Sequence, residues 1–140
     1  MRPLTHNIVL TEFDRRRLAS MLQVMRKRSG IEPWNLDALE VELGRAHVVP
    51  PDRVPPTVVT MNSRVRLCDL DTGAQVLVSL VFPAAQATTD AEVPVLSPLG
   101  LALLGCRTGD VMEWRTELGQ RRLRVDAVIY QPEAAGNFFI

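Results

Sequence analysis

Apolar residues recur at helical spacing in the first third of the chain and predict a first helix. Four of them follow the i, i+3, i+4, i+7 pattern of one helical face: Leu18, Met21, Leu22 and Met25. Thr11 suits the N-cap position, where its hydroxyl can accept from a free backbone N–H. The basic residues 26–28 suit the negative end of the helix dipole, and Gly30 follows as a stop.

A second, shorter amphipathic stretch follows the turn at residues 33–35. Its apolar face consists of Leu36, Leu39, Leu43 and Ala46. Asn35 is expected to cap this helix, and Trp34 and Leu39 have the spacing of a hydrophobic staple. Two such helices joined by a short turn predict an antiparallel hairpin. The first helix is expected to be longer than the second by about half.

The last two thirds of the chain alternate between apolar and polar residues, as strands do. Strand patterns cover residues 57–61, 64–69, 75–82, 93–96, 111–114 and 122–130. They predict an antiparallel meander. The faces expected to point into the core carry Val76, Val78 and Leu80 in one strand, and Leu123, Val125, Ala127 and Ile129 in the last.

One short apolar helix lies within this strand region. Ser97 can cap it, Pro98 suits its first position, and Gly105 can adopt the left-handed conformation that ends it. A helix of about two turns is unstable alone and must pack on a sheet. The predicted class is therefore α+β: a short N-terminal antiparallel helical hairpin followed by a twisted antiparallel sheet with one helix.

Prolines at 50, 51, 55 and 56 interrupt the periodicity and favour extended backbone. We therefore place the hairpin in residues 1–49, a proline-rich linker in 50–56 and a C-terminal domain in 57–140.

Composition removes several classes of function. The formal net charge is zero, so the chain has no overall positive charge that would favour binding to nucleic acid. No apolar run approaches the length of a membrane span, and no signal peptide is evident, so we expect a cytoplasmic protein without a membrane partner. Cys68 and Cys106 are far apart and are interpreted as small apolar residues in reduced form.

The residues around the hairpin tip allow two interpretations. Glu32 in the turn and Asp37 in the second helix could share a divalent cation if they converge. Alternatively, Glu32 lies in a solvated turn, and Asp37 is simply favoured near a helix N-terminus. We favour the second interpretation and predict no metal ion, no cofactor and no catalytic residue.

Together, the hairpin and several later segments closely resemble the regulator of nucleoside diphosphate kinase (Rnk) family, which is related to the GreA/GreB transcript-cleavage factors. The segments are residues 58–65, 69–73, 80–83, 97–100, 109–110 and 130–136. The resemblance covers essentially the whole chain and implies an FKBP-like C-terminal domain.

This resemblance implies binding to bacterial RNA polymerase at the rim of its secondary channel. The C-terminal domain would grip the coiled coil of the largest catalytic subunit, through residues matched here by Ser97, Pro98 and Leu99. Asn62, Ser63 and Arg64 are weaker candidates, because Asn-Ser also suits a turn between strands. Nucleic acid would be contacted only indirectly, through the polymerase.

Two departures from the Gre pattern change the expected activity. Gre factors carry a long hairpin whose acidic tip reaches the polymerase active centre, whereas the hairpin here is short and its tip offers Glu32, Trp34 and Asp37 without a compact acidic pair. We therefore expect competition with Gre-type factors without stimulation of transcript cleavage. In addition, Leu101 occupies a position that is often charged in Gre factors.

An enzyme remains the alternative hypothesis. An FKBP-like fold could belong to a peptidyl-prolyl isomerase or another peptide-binding module, although fold alone is a poor warrant for activity. Such a site needs an aromatic-lined pocket, for which Phe82, Trp114 and Tyr130 are the candidates. An effect on nucleoside diphosphate kinase would be indirect, through gene expression.

Overall fold

The computed structural model describes residues 8–28, 33–83, 91–116 and 119–140. Within these residues it contains helices α1 (Glu12–Met25), α2 (Pro33–Arg45) and α3 (Pro98–Leu103), and a short 3-10 turn at Pro51–Arg53. The strands are β1 (Val9–Leu10), β2 (His47–Val48), β3 (Arg64–Asp69), β4 (Gln75–Val81), β5 (Glu92–Pro94), β6 (Val111–Thr116) and β7 (Gly119–Tyr130).

The first helix begins as its sequence predicts. The Thr11 hydroxyl accepts from the Asp14 backbone N–H at 3.1 Å, and the predicted apolar face packs inward, with Leu18 and Leu22 buried. The helix ends at Met25, so the basic residues 26–28 follow it as a turn, and the predicted stop at Gly30 lies outside the described residues. At 14 and 13 residues the two helices are nearly equal, so the expected difference in length is wrong.

The second helix begins at Pro33, three residues before the first helical position expected after an Asn35 cap. Pro33 is already helical, as its fixed φ allows in a first turn. Asn35 is therefore a buried residue within the helix and not its cap. The predicted staple is also wrong, because Trp34 is 55% exposed. Leu36 and Leu39 are buried as predicted.

A two-stranded parallel ladder closes the base of the hairpin. Val9 in β1 pairs with His47 in β2, and the His47 N–H donates to the Ile8 carbonyl at 2.8 Å. The segment before α1 and the segment after α2 are thereby held side by side.

The main sheet has the strand order β5-β4-β3-β7-β6 and is not a meander. The last strand, β7, lies between β3 and β6 and is antiparallel to both, whereas β5 runs parallel to β4. Three of the four strand pairs in this sheet are antiparallel, as predicted, and residues 82–91 connect β4 to its parallel neighbour β5. A parallel neighbour needs such a long connection, which a tight hairpin turn cannot provide.

Residues 57–61 do not form the predicted strand. Their backbone makes only one isolated bridge, between Val58 and Arg107. Val58, Val59, Thr60 and Met61 are all buried, so residues 58–61 lack the alternation of buried and exposed side chains that the prediction assumed. Val59 pairs with the exit of α3 instead: its N–H donates to the Cys106 carbonyl at 2.8 Å.

Two irregularities in the β3–β7 pairing overturn part of the predicted alternation. Leu67 lies opposite Val125, but Val65 lies opposite Val128. The shift between Leu67 and Arg66 places an additional residue in β7, so the inward positions change from odd numbers at Val125 to even numbers at Val128. Val128 packs against the core, and Ile129 is 47% exposed. In β4, Val78 and Leu80 are buried as predicted, whereas Val76 is 47% exposed.

The buried apolar residues form one cluster that joins the hairpin to the sheet. It includes Leu18 and Leu39 from the hairpin, Leu103 from α3, and Leu67 and Val125 from the sheet. No helix in the described part of the chain is long and apolar enough to cross a membrane.

Candidate partner-binding site

The start of α3 is fixed by the Ser97 hydroxyl. Its Oγ accepts from the Gly100 N–H at 3.0 Å and donates to the Pro94 carbonyl at 2.7 Å. The predicted cap and the predicted first helical position of Pro98 are both confirmed. Because the hydroxyl uses its donor and an acceptor within its own chain, Ser97 positions this segment and has little capacity left for a partner.

Close packing holds the same segment against β5. A Cβ atom at Gly100 would overlap with the Pro94 carbonyl, so only glycine fits there. Pro98 is exposed and Leu99 is half-buried, and together they form a small rigid apolar surface. Leu101 is buried, so the residue that departs from the Gre pattern extends the core.

The hairpin is tied directly to this surface. The Asn35 Nδ2 group, buried in α2, donates to the Leu96 carbonyl at 3.1 Å. This contact fixes the loop that precedes Ser97. The sequence does contain a signal for this contact: Asn35 is an amide on the apolar side of the helix. A buried amide at such a position needs a hydrogen-bond partner.

The three weaker candidates have different surroundings. Asn62 adopts a left-handed conformation with φ of 66°, its N–H donates to the Leu80 carbonyl at 2.7 Å, and its Nδ2 donates to the Ile140 backbone oxygen at 3.1 Å. Ser63 is fully buried, and its Oγ accepts from the Thr60 N–H at 3.0 Å. Arg64 is exposed. Of the three, Arg64 is therefore the side chain best placed to reach a partner, whereas Asn62 and Ser63 bond within the chain and position the turn.

Residues 62–64 lie at the end of the sheet at which α3 begins. Arg64 pairs with Ser79 on β4, and Ser79 pairs with Glu92 on β5. The Val95 N–H then donates to the Val81 carbonyl at 2.9 Å, which carries the chain past β4 towards Ser97. Since β3 and β5 are two strand spacings apart, about 10 Å separates them. One partner could cover both segments.

A buried polar cluster behind this surface was not predicted from the sequence. The Thr60 Oγ1 donates to the Glu133 Oε1 at 2.7 Å, and burial raises the pKa of the Glu133 carboxyl. Gln131, also buried, donates to the Pro55 and Val58 carbonyls at 2.8 and 2.7 Å. The segment after β7 thus supplies the polar partners of residues 55–60.

Arg17 on α1 contacts an acidic side chain and two aromatic rings. Its Nη2 contacts the Asp14 Oδ1 at 2.5 Å, and its guanidinium lies 4.3 Å from the ring centre of Phe13 and 4.6 Å from that of Phe82. Burial raises the pKa of Asp14, although the Arg17 hydrogen bond opposes that shift. One face of Phe82 is therefore occupied by Arg17, which leaves it less able to line an isomerase pocket. The Trp114 side chain lies outside the described residues.

The carboxylates near the hairpin tip do not form an acidic pair in the described residues. Arg26 bridges Asp37 and Glu40 at 2.9 and 2.8 Å, and Glu32 lies outside the described part of the chain. No group of three or more His, Cys, Asp or Glu side chains suited to a metal ion occurs among the residues that the structure describes. Asp37 is thus engaged with a cation of its own chain.

Comparison with known proteins identifies this architecture. Residues 54–130 match the model of the GreA/GreB transcription elongation factor C-terminal family, and residues 6–49 match the model of the Rnk N-terminus. The regulator of nucleoside diphosphate kinase from Escherichia coli is 42% identical over 105 residues, which cover 74% of this chain and 77% of that protein. The chain belongs to the Rnk family.

Two further likenesses extend this Rnk assignment. A solved structure described as a GreA/GreB elongation factor from Nitrosomonas europaea is 38% identical, with a TM-score of 0.76, and the match covers 90% of this chain and all of that one. The transcription inhibitor protein Gfh1 of Thermus thermophilus is 36% identical over 95 residues, 66% of this chain and 60% of that protein. The chain is thus α+β with a Gre-type C-terminal unit, while its FKBP-like character stays a prediction.

Proposed function

We propose that this protein is a non-enzymatic regulator that binds bacterial RNA polymerase near the secondary channel. In this proposal the C-terminal domain contacts the coiled coil of the largest catalytic subunit. The bound protein competes with the longer GreA/GreB factors and does not stimulate transcript cleavage. The effect on nucleoside diphosphate kinase that gives its relatives their name is then indirect, through transcription.

One observation carries this proposal: a rigid apolar surface stands at the start of α3. Pro98 is exposed, Leu99 is half-buried, and both are held by the Ser97 cap and the Gly100–Pro94 contact. A surface that is already ordered loses little conformational entropy on binding, and apolar groups are what a partner can desolvate at the centre of an interface.

The short hairpin supports the absence of cleavage stimulation. With 14 residues, α1 is about 20 Å long, because an α-helix rises about 1.5 Å per residue. The acidic side chain of Asp37 is held by Arg26. This hairpin is therefore shorter than the long hairpin of a Gre factor, and its Asp37 carboxylate is paired and not free. The name of the related Thermus protein, a transcription inhibitor, agrees with a Gre-like protein that opposes transcription.

The direct test is binding to purified core RNA polymerase. We expect a Pro98→Asp/Leu99→Asp variant to bind at least about tenfold more weakly than the parent, as for central apolar contacts of an interface. The matched control is Ala74→Asp/Gln75→Asp, which adds the same two charges at exposed positions at the opposite end of the sheet. It should bind like the parent.

Circular dichroism first establishes that each variant is folded. If the double variant is not, Pro98→Asp alone replaces it, because an acid at the first helical position suits the helix dipole. Absence of polymerase binding by the parent protein, or equal binding by the two charge-bearing variants, would refute the proposal.

A further inference from the structure

The solvent-facing side of the main sheet carries two arginines that make no ion pair with other described residues. Arg64 and Arg66 are both exposed on β3, while Val65 and Leu67 between and after them are buried. The strand alternation therefore directs both guanidinium groups to the same side. Residues two positions apart in a strand are separated by about 7 Å.

Two other arginines on this side of the sheet, among the side chains that the structure describes, form ion pairs. Arg122 contacts Asp71 at 3.0 Å, and Arg124 contacts Asp126 at 2.6 Å. Arg64 and Arg66 have no such partner among the described residues. Among the described side chains of this side, Arg64 and Arg66 are thus positive charges without an ion-pair partner, available to another molecule.

Two exposed apolar residues lie beside these two arginines. Leu77 on β4 lies directly opposite Arg66 and is 42% exposed, and Ile129 is exposed at the irregularity of β7 beside the position opposite Arg64. We call the surface formed by Arg64, Arg66, Leu77 and Ile129 the arginine face. Guanidinium groups beside apolar side chains are typical of protein interfaces.

We propose that the arginine face receives an acidic amphipathic helix of RNA polymerase, as a second contact beside the start of α3. This inference rests on the proposed function. Carboxylates one turn apart on a helix have Cβ atoms about 5–6 Å apart, close to the spacing of the two arginines. Apolar residues on the same helical side would cover Leu77 and Ile129.

The surroundings favour an acidic protein segment over nucleic acid. Glu92 lies in the same row of the sheet as Arg64, two strands away, and Asp126 lies next to Ala127, which pairs with Arg66. A phosphate backbone would approach these carboxylates as well, and the chain has no net positive charge to attract it. A helix with placed carboxylates can meet the two arginines and avoid both acids.

The test compares two variants with the same loss of charge, Arg64→Gln/Arg66→Gln and Arg122→Gln/Arg124→Gln. Binding of each folded protein to core RNA polymerase is measured at low and at physiological salt. We expect the first variant to bind at least about tenfold more weakly at low salt and to lose much of the salt dependence of binding. The second should remain within about twofold of the parent, because its arginines are already paired.

The outcomes separate this inference from the proposed function. If Pro98→Asp/Leu99→Asp loses binding while Arg64→Gln/Arg66→Gln binds like the parent, the proposed function stands and the arginine face is refuted. If the parent does not bind polymerase, both fail. A parallel titration with a single-stranded RNA oligonucleotide gives the remaining outcome: loss of RNA binding in the Arg64→Gln/Arg66→Gln variant, with polymerase binding intact, would assign the face to RNA and overturn the inference.

Discussion

The Asn35 side chain reaches across from the hairpin and donates a hydrogen bond to the Leu96 carbonyl at 3.1 Å. Leu96 directly precedes Ser97, so a residue of α2 holds the loop that positions Pro98. The hairpin is thus a structural support of the surface that we propose for polymerase, besides any contact that its own tip makes.

Replacement of Asn35 by Ala should weaken both the fold and the binding surface. The substitution leaves the Leu96 carbonyl without this donor and is expected to lower the free energy of unfolding by about 1–3 kcal/mol. Urea denaturation measures this change, and polymerase binding should weaken with it. Glu40→Ala, at an exposed position of the same helix, is the control and should change stability by less than about 0.5 kcal/mol. An Asn35→Ala protein as stable as this control would contradict the supporting role.

Two glycines in helices should respond in opposite ways to an added methyl group. At Gly100 a Cβ atom would overlap with the Pro94 carbonyl, so Gly100→Ala should destabilise the protein by about 1–3 kcal/mol and displace the start of α3. At Gly44 in α2 nothing lies within 4 Å of the same atom. Gly44→Ala should stabilise the protein by up to about 1 kcal/mol, since alanine is the better helix former. Thermal or urea unfolding of the pair tests this prediction, and the same sign for both variants would contradict it.

The elements predicted correctly from sequence depend on neighbours within a few positions. The Thr11 and Ser97 hydroxyls bond to N–H groups three residues on, so the signal and its partner lie in one short segment. Helical faces such as that of Leu18 and Leu22 are equally local. For these features, hydrophobic periodicity and capping chemistry were sufficient.

The elements predicted wrongly depend on residues far away in the chain. Residues 57–61 are extended but pair with the exit of α3, and the bulges in β7 become visible only against β3. At the candidate site, the Thr60–Glu133 contact joins residues 73 positions apart. Nothing in the spacing of either residue along the sequence indicates that they meet.

Glu133 should make stability depend on pH. Burial raises the pKa of its carboxyl above the ordinary value of 4.5, so the folded protein keeps this proton to higher pH than the unfolded chain does. The stability that this group contributes is complete below pH 4.5 and is lost as the pH rises through the raised pKa. The Asp14 carboxyl, whose pKa burial also raises, acts in the same direction from 3.8 upward.

The Glu133→Gln variant isolates the contribution of Glu133. The amide oxygen can still accept from Thr60, but the side chain stays neutral at every pH. We expect the stability of the variant relative to the parent to increase as the pH rises above 4.5 and through the raised pKa of Glu133. Urea unfolding at a series of pH values measures the difference. A difference that stays constant with pH would show that Glu133 has the same pKa in both states.

The protein should suppress the activity of a longer Gre factor without replacing it. Stalled transcription complexes treated with a GreA-type factor cleave their RNA, and addition of this protein should reduce that cleavage by occupying the same site. The Pro98→Asp/Leu99→Asp variant should not reduce it. Given alone, the parent protein should leave the RNA intact, because its hairpin is short and Asp37 is held by Arg26. RNA cleavage above the rate of polymerase alone would refute this part of the proposal.

The Asp14–Arg17 pair should show strong energetic coupling. The Asp14 side chain is only 3% exposed and that of Arg17 29%, and the Asp14 Oδ2 has no hydrogen-bond partner among the described residues. Arg17→Met keeps much of the packing between Phe13 and Phe82 but leaves a buried carboxylate without its cation. We expect a loss of about 3 kcal/mol in the free energy of unfolding, the usual cost of removing one partner of a buried ion pair.

In the Asp14→Asn/Arg17→Met double variant no buried charge is left without a partner, so its loss should be smaller than the sum of the single losses by about 1–3 kcal/mol. Urea unfolding of the four proteins completes this cycle, and additive losses would mean that the two side chains contribute by packing alone.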